Sequence, residues 1–213
     1  IVSNTSKTSI LNQVDVLIVG AGPVGLTLSN LLGLKGINGV CVDKMEEGHS
    51  FPRAISLDHD ALRVFYQLGF TEKNFNFLPL KEVNFSSALF GDLLTLNMSG
   101  SFDTFPKLVS FYQPELEKKL KEKLLSLNNF QLLYRITLRN YRHNGHHYEV
   151  FLEDEKGQVH VTKCIYLIGA DGAHSLVRKL EGLDFDVFKS YEDNWLILDT
   201  IKKKNIYSEN KVT

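Results

Sequence analysis

An α/β fold with a parallel sheet is predicted by two features near the beginning of this 213-residue chain. The first is a continuous apolar run, Val14 to Val19, which has the length and composition of a buried parallel strand. The second is the order that follows it: a glycine-rich turn, GAGPVG, then a helical pattern, then another apolar run from Gly39 to Asp43. Strand, glycine turn, helix and strand within about 30 residues indicate the first unit of a Rossmann-like nucleotide-binding domain.

The glycine turn is the first candidate binding site. Gly20 permits the tight turn, Gly22 lets the backbone approach a pyrophosphate, and Gly25 lets the helix pack closely on the strand. Pro23 is suited to open the helix, because its missing N–H would have no partner there. The helix is expected to continue to Gly36, and its N-terminal N–H groups would face the phosphates. The alternative is a purely structural turn.

An acidic residue completes this first motif. Asp43 ends the second strand 18 residues after Gly25, where its carboxylate can accept hydrogen bonds from the ribose hydroxyls of an adenosine. The same charge would repel a 2′-phosphate and so disfavours NADP in this cleft. The neighbouring Lys44 is included among the candidate cofactor-binding residues. The motif does not distinguish FAD from NAD.

The rest of the chain alternates helical and strand patterns without an internal repeat. Residues 1–13 form a polar arm. We expect a second helix over 58–68, a hairpin within 81–105 and a third helix over 114–127. Strands are predicted over 132–141, 146–154, 158–162, 164–168 and 194–201.

Composition excludes several classes of protein. With a net charge of −1 and 43% hydrophobic residues, the chain can bury a core and has no general attraction for nucleic acid or anionic lipid. It contains no apolar stretch of the roughly 18 residues that a membrane span needs. The two cysteines, Cys41 and Cys164, lie in apolar runs, which predicts unpaired thiols and a cytoplasmic location. The histidines lack clustered acids or cysteines at ligand spacing, so no metal site is predicted.

A second glycine motif lies far along the chain, in CIYLIGADGAHSLVR at residues 164–178. An apolar strand leads into Gly169 and then into Asp171 and Gly172, and a short helix is expected from about Ala173. Small residues would admit a ligand and the carboxylate could accept its hydrogen bonds. An Asp-Gly turn that caps a helix is the alternative interpretation.

The two motifs together resemble the paired fingerprints of the single-component FAD-dependent aromatic hydroxylases, the class A flavoprotein monooxygenases. Ser175 and Arg178 also match the family pattern. The similarity extends from Asp15 to about Thr200, and its subfamily features are most similar to hydroxylases of 3-(3-hydroxyphenyl)propionate and related phenols. Those features are PRAISLDHDALR, FYQPELE and WLILD.

This resemblance implies a Rossmann-like FAD-binding domain of the glutathione reductase and p-hydroxybenzoate hydroxylase type, with a partial β-rich substrate domain. The FAD-binding domain is expected to be discontinuous. The segments 14–80 and 106–184 are assigned to it, and 81–105 and 185–213 are assigned to the substrate domain.

The resemblance also implies five further cofactor-binding residues. Arg53 would lie along the flavin side of FAD, and Gln113 would touch the cofactor at a helix start. Asp171, Gly172 and Arg178 would serve both FAD and a passing nicotinamide cofactor. The alternatives are a surface salt bridge for Arg53, a plain helix cap for Gln113 and a surface helix position for Arg178.

For a complete relative, the resemblance implies that NADH or NADPH reduces FAD and that molecular oxygen forms a C4a-hydroperoxide on the flavin. One oxygen atom would then pass to a small phenolic substrate. No catalytic acid or base is assigned in this chain. The family's third, Gly-Asp fingerprint is not found, and the chain begins at Ile1. We therefore expect the N-terminal portion of a longer enzyme; the alternatives are a non-catalytic FAD- or ADP-binding module and another flavin oxidoreductase of the superfamily.

Overall fold

The computed structural model describes residues 10–46, 54–186 and 211–212. These residues form two compact units. The first contains residues 10–46, 67–69 and 112–183, and the second contains 54–66, 70–111, 184–186 and 211–212. This division groups residues 54–66, 70–80 and 106–111 with the hairpin region rather than with the nucleotide-binding segments. The functional domain boundaries given above remain a prediction.

The described elements are numbered in chain order. The helices are α1 (Pro23–Leu34), α2 (His59–Gln67), α3 (Gln113–Leu125) and α4 (Leu176–Leu180). The strands are β1 (Gln13–Val19), β2 (Gly39–Asp43), β3 (Ser56–Asp58), β4 (Phe77–Pro79), β5 (Glu82–Ser87), β6 (Gly91–Asn97), β7 (Ser101–Phe102), β8 (Phe105–Pro106), β9 (Leu108–Phe111), β10 (Phe130–Tyr134), β11 (Thr137–His143), β12 (Tyr148–Glu153), β13 (Val159–Gly169) and β14 (Lys211–Val212).

A mixed sheet of six strands forms the centre of the first unit, in the order β10-β2-β1-β13-β12-β11. The strands β10, β2, β1 and β13 are parallel, and β11 and β12 complete the sheet by antiparallel pairing. The long strand β13 joins the parallel and the antiparallel parts of the sheet, because its first half pairs with β12 and its second half pairs with β1. The buried residues of β1 and β2 form the core with apolar residues of β12 and β13. The predicted α/β fold is confirmed.

Helix α1 is held against α3 by a buried amide as well as by apolar packing. Asn30 donates from Nδ2 to the carbonyl of Leu120 in α3 at 2.9 Å and to the carbonyl of Leu26 at 2.8 Å. Leu120 itself is fully buried. The amide nitrogen thus links α1 to α3, whereas the buried Oδ1 of Asn30 has no hydrogen-bond partner among the described residues.

Three predicted boundaries were wrong. The single strand expected over 132–141 is two strands, because Arg135 adopts a φ of +58° and turns the chain between β10 and β11. The segments 158–162 and 164–168 form one continuous strand, β13, since it has a partner on each side. The last helix begins at Leu176 rather than near Ala173, because residues 171–175 form the turn that caps it.

The second unit contains short β-sheets around α2. One has the order β3-β9-β4, one has the order β14-β5-β6, and β7 and β8 form a two-stranded ribbon. The hairpin predicted within 81–105 is confirmed as β5 and β6. The strand predicted over 194–201 lies outside the described residues.

The two cysteines match their prediction. Both are buried and unpaired. Burial raises the pKa of the Cys41 thiol to about 12 and that of Cys164 to about 11, so both remain protonated at neutral pH. No described helix has the length and apolar character required to cross a bilayer. Within residues 10–46, 54–186 and 211–212, no group of three or more His, Cys, Asp or Glu side chains is arranged to hold a metal ion.

The turn between β7 and β8 is strained, and this yields a stability prediction. Asp103 and Thr104 have φ values of +46° and +73°, the signs required by a type I′ hairpin turn, in which glycine is favoured at the second position. A β-branched residue with positive φ is an outlier whose cost is about 1 kcal/mol or more. We expect Thr104→Gly to raise the melting temperature by roughly 2–4 °C in thermal denaturation.

Thr95→Gly is the matched control for this substitution. Thr95 lies within strand β6, where glycine weakens pairing, so its replacement should lower the melting temperature. A lower melting temperature for Thr104→Gly as well would contradict the proposed strain at Thr104.

Candidate functional site

The structure brings the two glycine motifs together at one edge of the sheet. Strands β1 and β13 are parallel neighbours, and Val19 lies opposite Gly169, so both strands end side by side. The Gly20 N–H donates to the carbonyl of Val42 at 2.7 Å, and the Ala170 N–H donates to that of Val19 at 2.7 Å. The carboxyl ends of β2, β1 and β13 therefore meet. In open α/β sheets this edge is where nucleotides bind.

Two glycines of the first motif are required by close packing. A Cβ added at Gly25 would lie 1.8 Å from the Gly20 carbonyl oxygen, far inside any van der Waals contact. A Cβ added at Gly20 would lie 2.3 Å from the Ala170 carbonyl oxygen, and the φ of Gly20 is +107°. No side chain fits at either position. The first glycine turn thus packs directly on the second motif.

Gly22 differs from both. Among the described residues, an added Cβ would meet no atom within 4 Å, so the absence of a side chain here leaves an open space above the backbone. Gly22 is the N-cap of α1, none of the described side chains caps this helix end, and its first turn contains no acidic residue. The N–H groups of a helix's first turn have no intrahelical acceptor and attract anions. This open end fits a diphosphate.

Asp43 lies beside the same turn and contacts it. Its Oδ2 accepts a hydrogen bond from the Ala21 N–H at 2.7 Å, and its Oδ1 accepts one from the Met45 N–H at 2.8 Å. A carboxylate has about four acceptor sites, so capacity remains for a ribose hydroxyl. Lys44 follows with an exposed side chain. The link to Ala21 was not predicted from the sequence, because it depends on how the glycine turn packs over the end of β2.

The carboxylate of Asp171 caps α4. Its Oδ2 accepts from the N–H groups of Leu176 at 2.6 Å and Val177 at 3.3 Å, and its Oδ1 accepts from the Ser175 hydroxyl at 2.5 Å. This is the capping interpretation that the sequence left open. Gly172, with a φ of +76°, has open space where a Cβ would stand. The backbone beside the cap is therefore accessible to a ligand.

Arg178 and Gln113 are placed differently from each other. Arg178 lies in α4 and donates from Nη1 to the Ala173 carbonyl at 2.9 Å, which holds the guanidinium on the second motif.

Gln113 is only 5% exposed and donates from Nε2 to Glu117 Oε1 at 2.7 Å. Glu117, also buried, was missed by sequence reasoning, although its position four residues after Gln113 on α3 was a usable signal. Arg53 lies outside the described residues.

A separate cleft of about 490 Å³ opens at the amino-terminal edge of the sheet, beside Asp15, Asn38 and Asn129, opposite the glycine motifs. The close backbone approach and the free helix end occur instead at the sheet edge that carries the two glycine motifs, which we call the glycine edge.

A protein-family model matches this chain over most of its length. A model described as an FAD binding domain matches residues 13–209, almost the whole chain. The chain belongs to this FAD-binding domain family. The match includes both glycine motifs and both units of the structure, and it confirms the family resemblance that these motifs carried.

Named relatives of this FAD-binding domain are hydroxylases. A 3-(3-hydroxy-phenyl)propionate/3-hydroxycinnamic acid hydroxylase of Paraburkholderia xenovorans (strain LB400) is 31% identical over 194 residues, which are 87% of this chain and 30% of the relative. A Rhodococcus jostii (strain RHA1) protein named "Probable NADH-specific resorcinol 4-hydroxylase" is 30% identical over 192 residues, 87% of this chain and 36% of the relative. The chain thus spans about a third of the length of these relatives.

A solved structure shares the fold. The crystal structure of p-nitrophenol 4-monooxygenase from Pseudomonas putida DLL-E4 aligns with a TM-score of 0.73 over 83% of this chain and 45% of its own. Sequence identity is 19%, so this likeness concerns the architecture of the FAD-binding domain alone.

Proposed function

We propose that this chain is the FAD-binding part of an NAD(P)H-dependent flavin monooxygenase that hydroxylates a small phenolic compound. The observation that carries the proposal is the convergence of both glycine motifs on one sheet edge, with an uncapped helix end at Gly22 and a carboxylate at Asp43. A nucleotide with two phosphates and a ribose matches that arrangement. The complete hydroxylation reaction is proposed only for a protein as long as the named relatives.

Each residue at this edge has a proposed part in holding the cofactor. The backbone at Gly20, Gly22 and Gly25, with Pro23 opening α1, would receive the pyrophosphate. Asp43 would accept from the adenosine ribose, with Lys44 beside it. These groups bind and orient; FAD supplies the redox and oxygen-activating chemistry when bound.

The flavin half of the cofactor is assigned to a second group of residues. Gln113 and Arg53 are proposed to contact it, and the Gly172 backbone and Arg178 are proposed to contact FAD or the nicotinamide. Because Asp171 already receives three hydrogen bonds within the protein, its proposed contribution is to shape the Gly172 turn for the ligand.

The names of the relatives support the substrate and the reductant. Propionate- or acrylate-substituted phenols and resorcinol are hydroxylated aromatic rings, and molecular oxygen is the co-substrate that monooxygenation needs. The name of the Rhodococcus relative favours NADH. Asp43 also disfavours a 2′-phosphate at the glycine edge, although the reductant need not bind there.

A second candidate function is a non-catalytic FAD- or ADP-binding module. It is favoured by the cap at Asp171, since the second motif then has a structural role in this chain. In that case the ADP half of the cofactor would be bound at the glycine edge and the flavin half would remain in solvent.

Titration of the purified chain with FAD, followed by flavin fluorescence and visible absorbance with ADP as a competitor, tests the proposal. We expect saturable FAD binding that ADP displaces, with a shifted flavin absorbance band. Binding without a change in the flavin band would support the non-catalytic module. Failure of both FAD and ADP to bind would contradict the assignment of the glycine edge.

A further inference from the structure

Helices α1 and α3 run side by side in the same direction. The strands that follow them, β2 and β10, pair in parallel. Asn129, which comes shortly after α3, donates from Nδ2 to the carbonyl groups of Gly33 and Ile37 at the end of α1, at 3.0 and 2.9 Å. The two helices therefore end next to each other, at the edge of the sheet opposite the glycine motifs.

The starts of the two helices are level as well. Asn30 of α1 donates to the carbonyl of Leu120 of α3 at 2.9 Å. Pro23, the first residue of α1, lies seven residues before Asn30, and Gln113, the first residue of α3, lies seven residues before Leu120. At about 1.5 Å per residue, both helices begin roughly 10 Å before this contact. The first turn of α3 thus reaches the glycine edge beside the first turn of α1.

A buried polar pair lies at this end of α3. Gln113 and Glu117 are only 5% and 8% exposed, and the Gln113 Nε2 donates to Glu117 Oε1 at 2.7 Å. Residues four apart on a helix lie one above the other on the same face. Glu117 is therefore one turn farther from the glycine edge than Gln113 and supports its side chain from behind.

An ion pair does not account for the burial of Glu117. Two other glutamates of α3 lie close to lysines: Glu115 is 3.9 Å from Lys119, and Glu122 is 4.0 Å from Lys118. Within the described ranges, the Glu117 carboxylate instead has the Gln113 amide as its partner. Burying a carboxyl group is costly unless it is hydrogen-bonded, and this hydrogen bond is directed to a residue at the glycine edge.

We propose that Glu117 is a positioning residue, which orients the Gln113 amide so that its oxygen, and not its NH₂ group, is presented to the ribityl hydroxyls of FAD. An amide carries its donor and its acceptor on opposite sides of one rigid group, so the bond from Nε2 to Glu117 turns Oε1 away from that carboxylate. An amide oxygen has two acceptor sites, and hydroxyl groups can donate to it. The ribityl chain is attached to the diphosphate, which is assigned to the neighbouring start of α1. The inference rests on the proposed function, since it takes FAD as the ligand.

Titration with FAD, with ADP as a competitor, tests this role in variants of the whole chain. Glu117→Met removes the acceptor and keeps a good helix former of similar size. It should raise the Kd for FAD by about 5- to 20-fold, because Gln113 is no longer held in one orientation. The Kd for ADP, which lacks the ribityl chain, should stay the same. Glu117→Ala is a second variant without an acceptor, and circular dichroism shows whether each variant is folded.

Two further variants separate positioning from a general structural role. Glu117→Gln retains a side-chain oxygen that can accept from Gln113 Nε2, so it should bind FAD as the wild-type chain does. Glu122→Met changes an exposed glutamate on the same helix and should alter neither affinity. An equal loss of FAD and ADP affinity in Glu117→Met, or a Glu117→Gln variant as weak as Glu117→Met, would overturn the proposal.

A double-mutant cycle shows whether Glu117 acts through Gln113. Gln113→Leu should weaken FAD binding by itself, and adding Glu117→Met should cause no further loss, since the group that Glu117 orients is already absent. Additive losses would contradict the proposal. If Gln113→Leu weakens FAD binding and Glu117→Met does not, the positioning role alone is wrong. A wild-type chain that binds neither FAD nor ADP would instead contradict the proposed function, and this inference with it.

Discussion

Gly25→Ala is expected to weaken FAD binding strongly and to destabilise the chain. The new Cβ would lie 1.8 Å from the Gly20 carbonyl oxygen, so α1 must move away from the end of β1. Overpacking of this kind costs about 3 kcal/mol of unfolding free energy, because main-chain atoms are less able to yield than a side chain is. Displacing the helix N terminus should also weaken FAD binding at least about 100-fold, which corresponds to roughly 2.7 kcal/mol. Denaturant unfolding and FAD titration measure the two effects.

Gly22→Ala tests FAD binding in the same turn without disturbing the packing of the protein. The φ of Gly22 is −77°, which alanine adopts readily, and its Cβ would meet no atom of the described residues within 4 Å. Unfolding free energy should therefore change by less than about 0.5 kcal/mol. FAD affinity should nevertheless fall about 10- to 100-fold, since the methyl group would stand where the pyrophosphate approaches the backbone. Unchanged FAD affinity in this variant would show that the phosphates bind elsewhere.

Asp43→Ala is the second substitution with a large expected effect. It removes the acceptor proposed for the ribose and also the bond that holds the Ala21 N–H, so the ligand contact and the turn geometry are lost together. Hydrogen bonds to a charged group contribute about 1.5–3 kcal/mol each. We expect the affinities for ADP and for FAD to fall by similar factors, of about 10- to 100-fold, in competition titrations.

Two other variants show whether this loss is specific to the adenosine end. Asp15→Ala removes a carboxylate at the opposite edge of the same sheet, where it accepts from the Asn38 N–H at 3.1 Å, and should leave both affinities unchanged. Arg53→Ala should reduce FAD affinity more than ADP affinity, because Arg53 is assigned to the flavin half. If Arg53→Ala reduced both affinities equally, the assignment of Arg53 to the flavin half would be wrong. If Asp43→Ala left the ADP affinity unchanged, the assignment of Asp43 to the adenosine end would be wrong.

The local elements of this chain follow from its sequence. Three features each impose a short-range requirement. The run Val14 to Val19 requires burial of a strand, the glycine turn requires a positive φ at Gly20, and Pro23 requires a helix start that needs no N–H. These requirements act over a few residues, so the β1-α1-β2 unit and its glycine turn were predictable, as was the start of α1. The family resemblance added the second motif to the same site.

Long-range pairing was decided only by the tertiary structure. The break at Arg135 and the two partners of β13 depend on strands distant in the sequence. A pattern of apolar residues indicates a strand but does not indicate which other strands pair with it. The same holds for the bond between Asp43 and Ala21, which exists because the turn folds over β2. Asp171 shows the limit most clearly. Its residue type permits both ligand binding and helix capping, and only the structure shows that it accepts from the first N–H groups of α4, beside the N-cap Ser175.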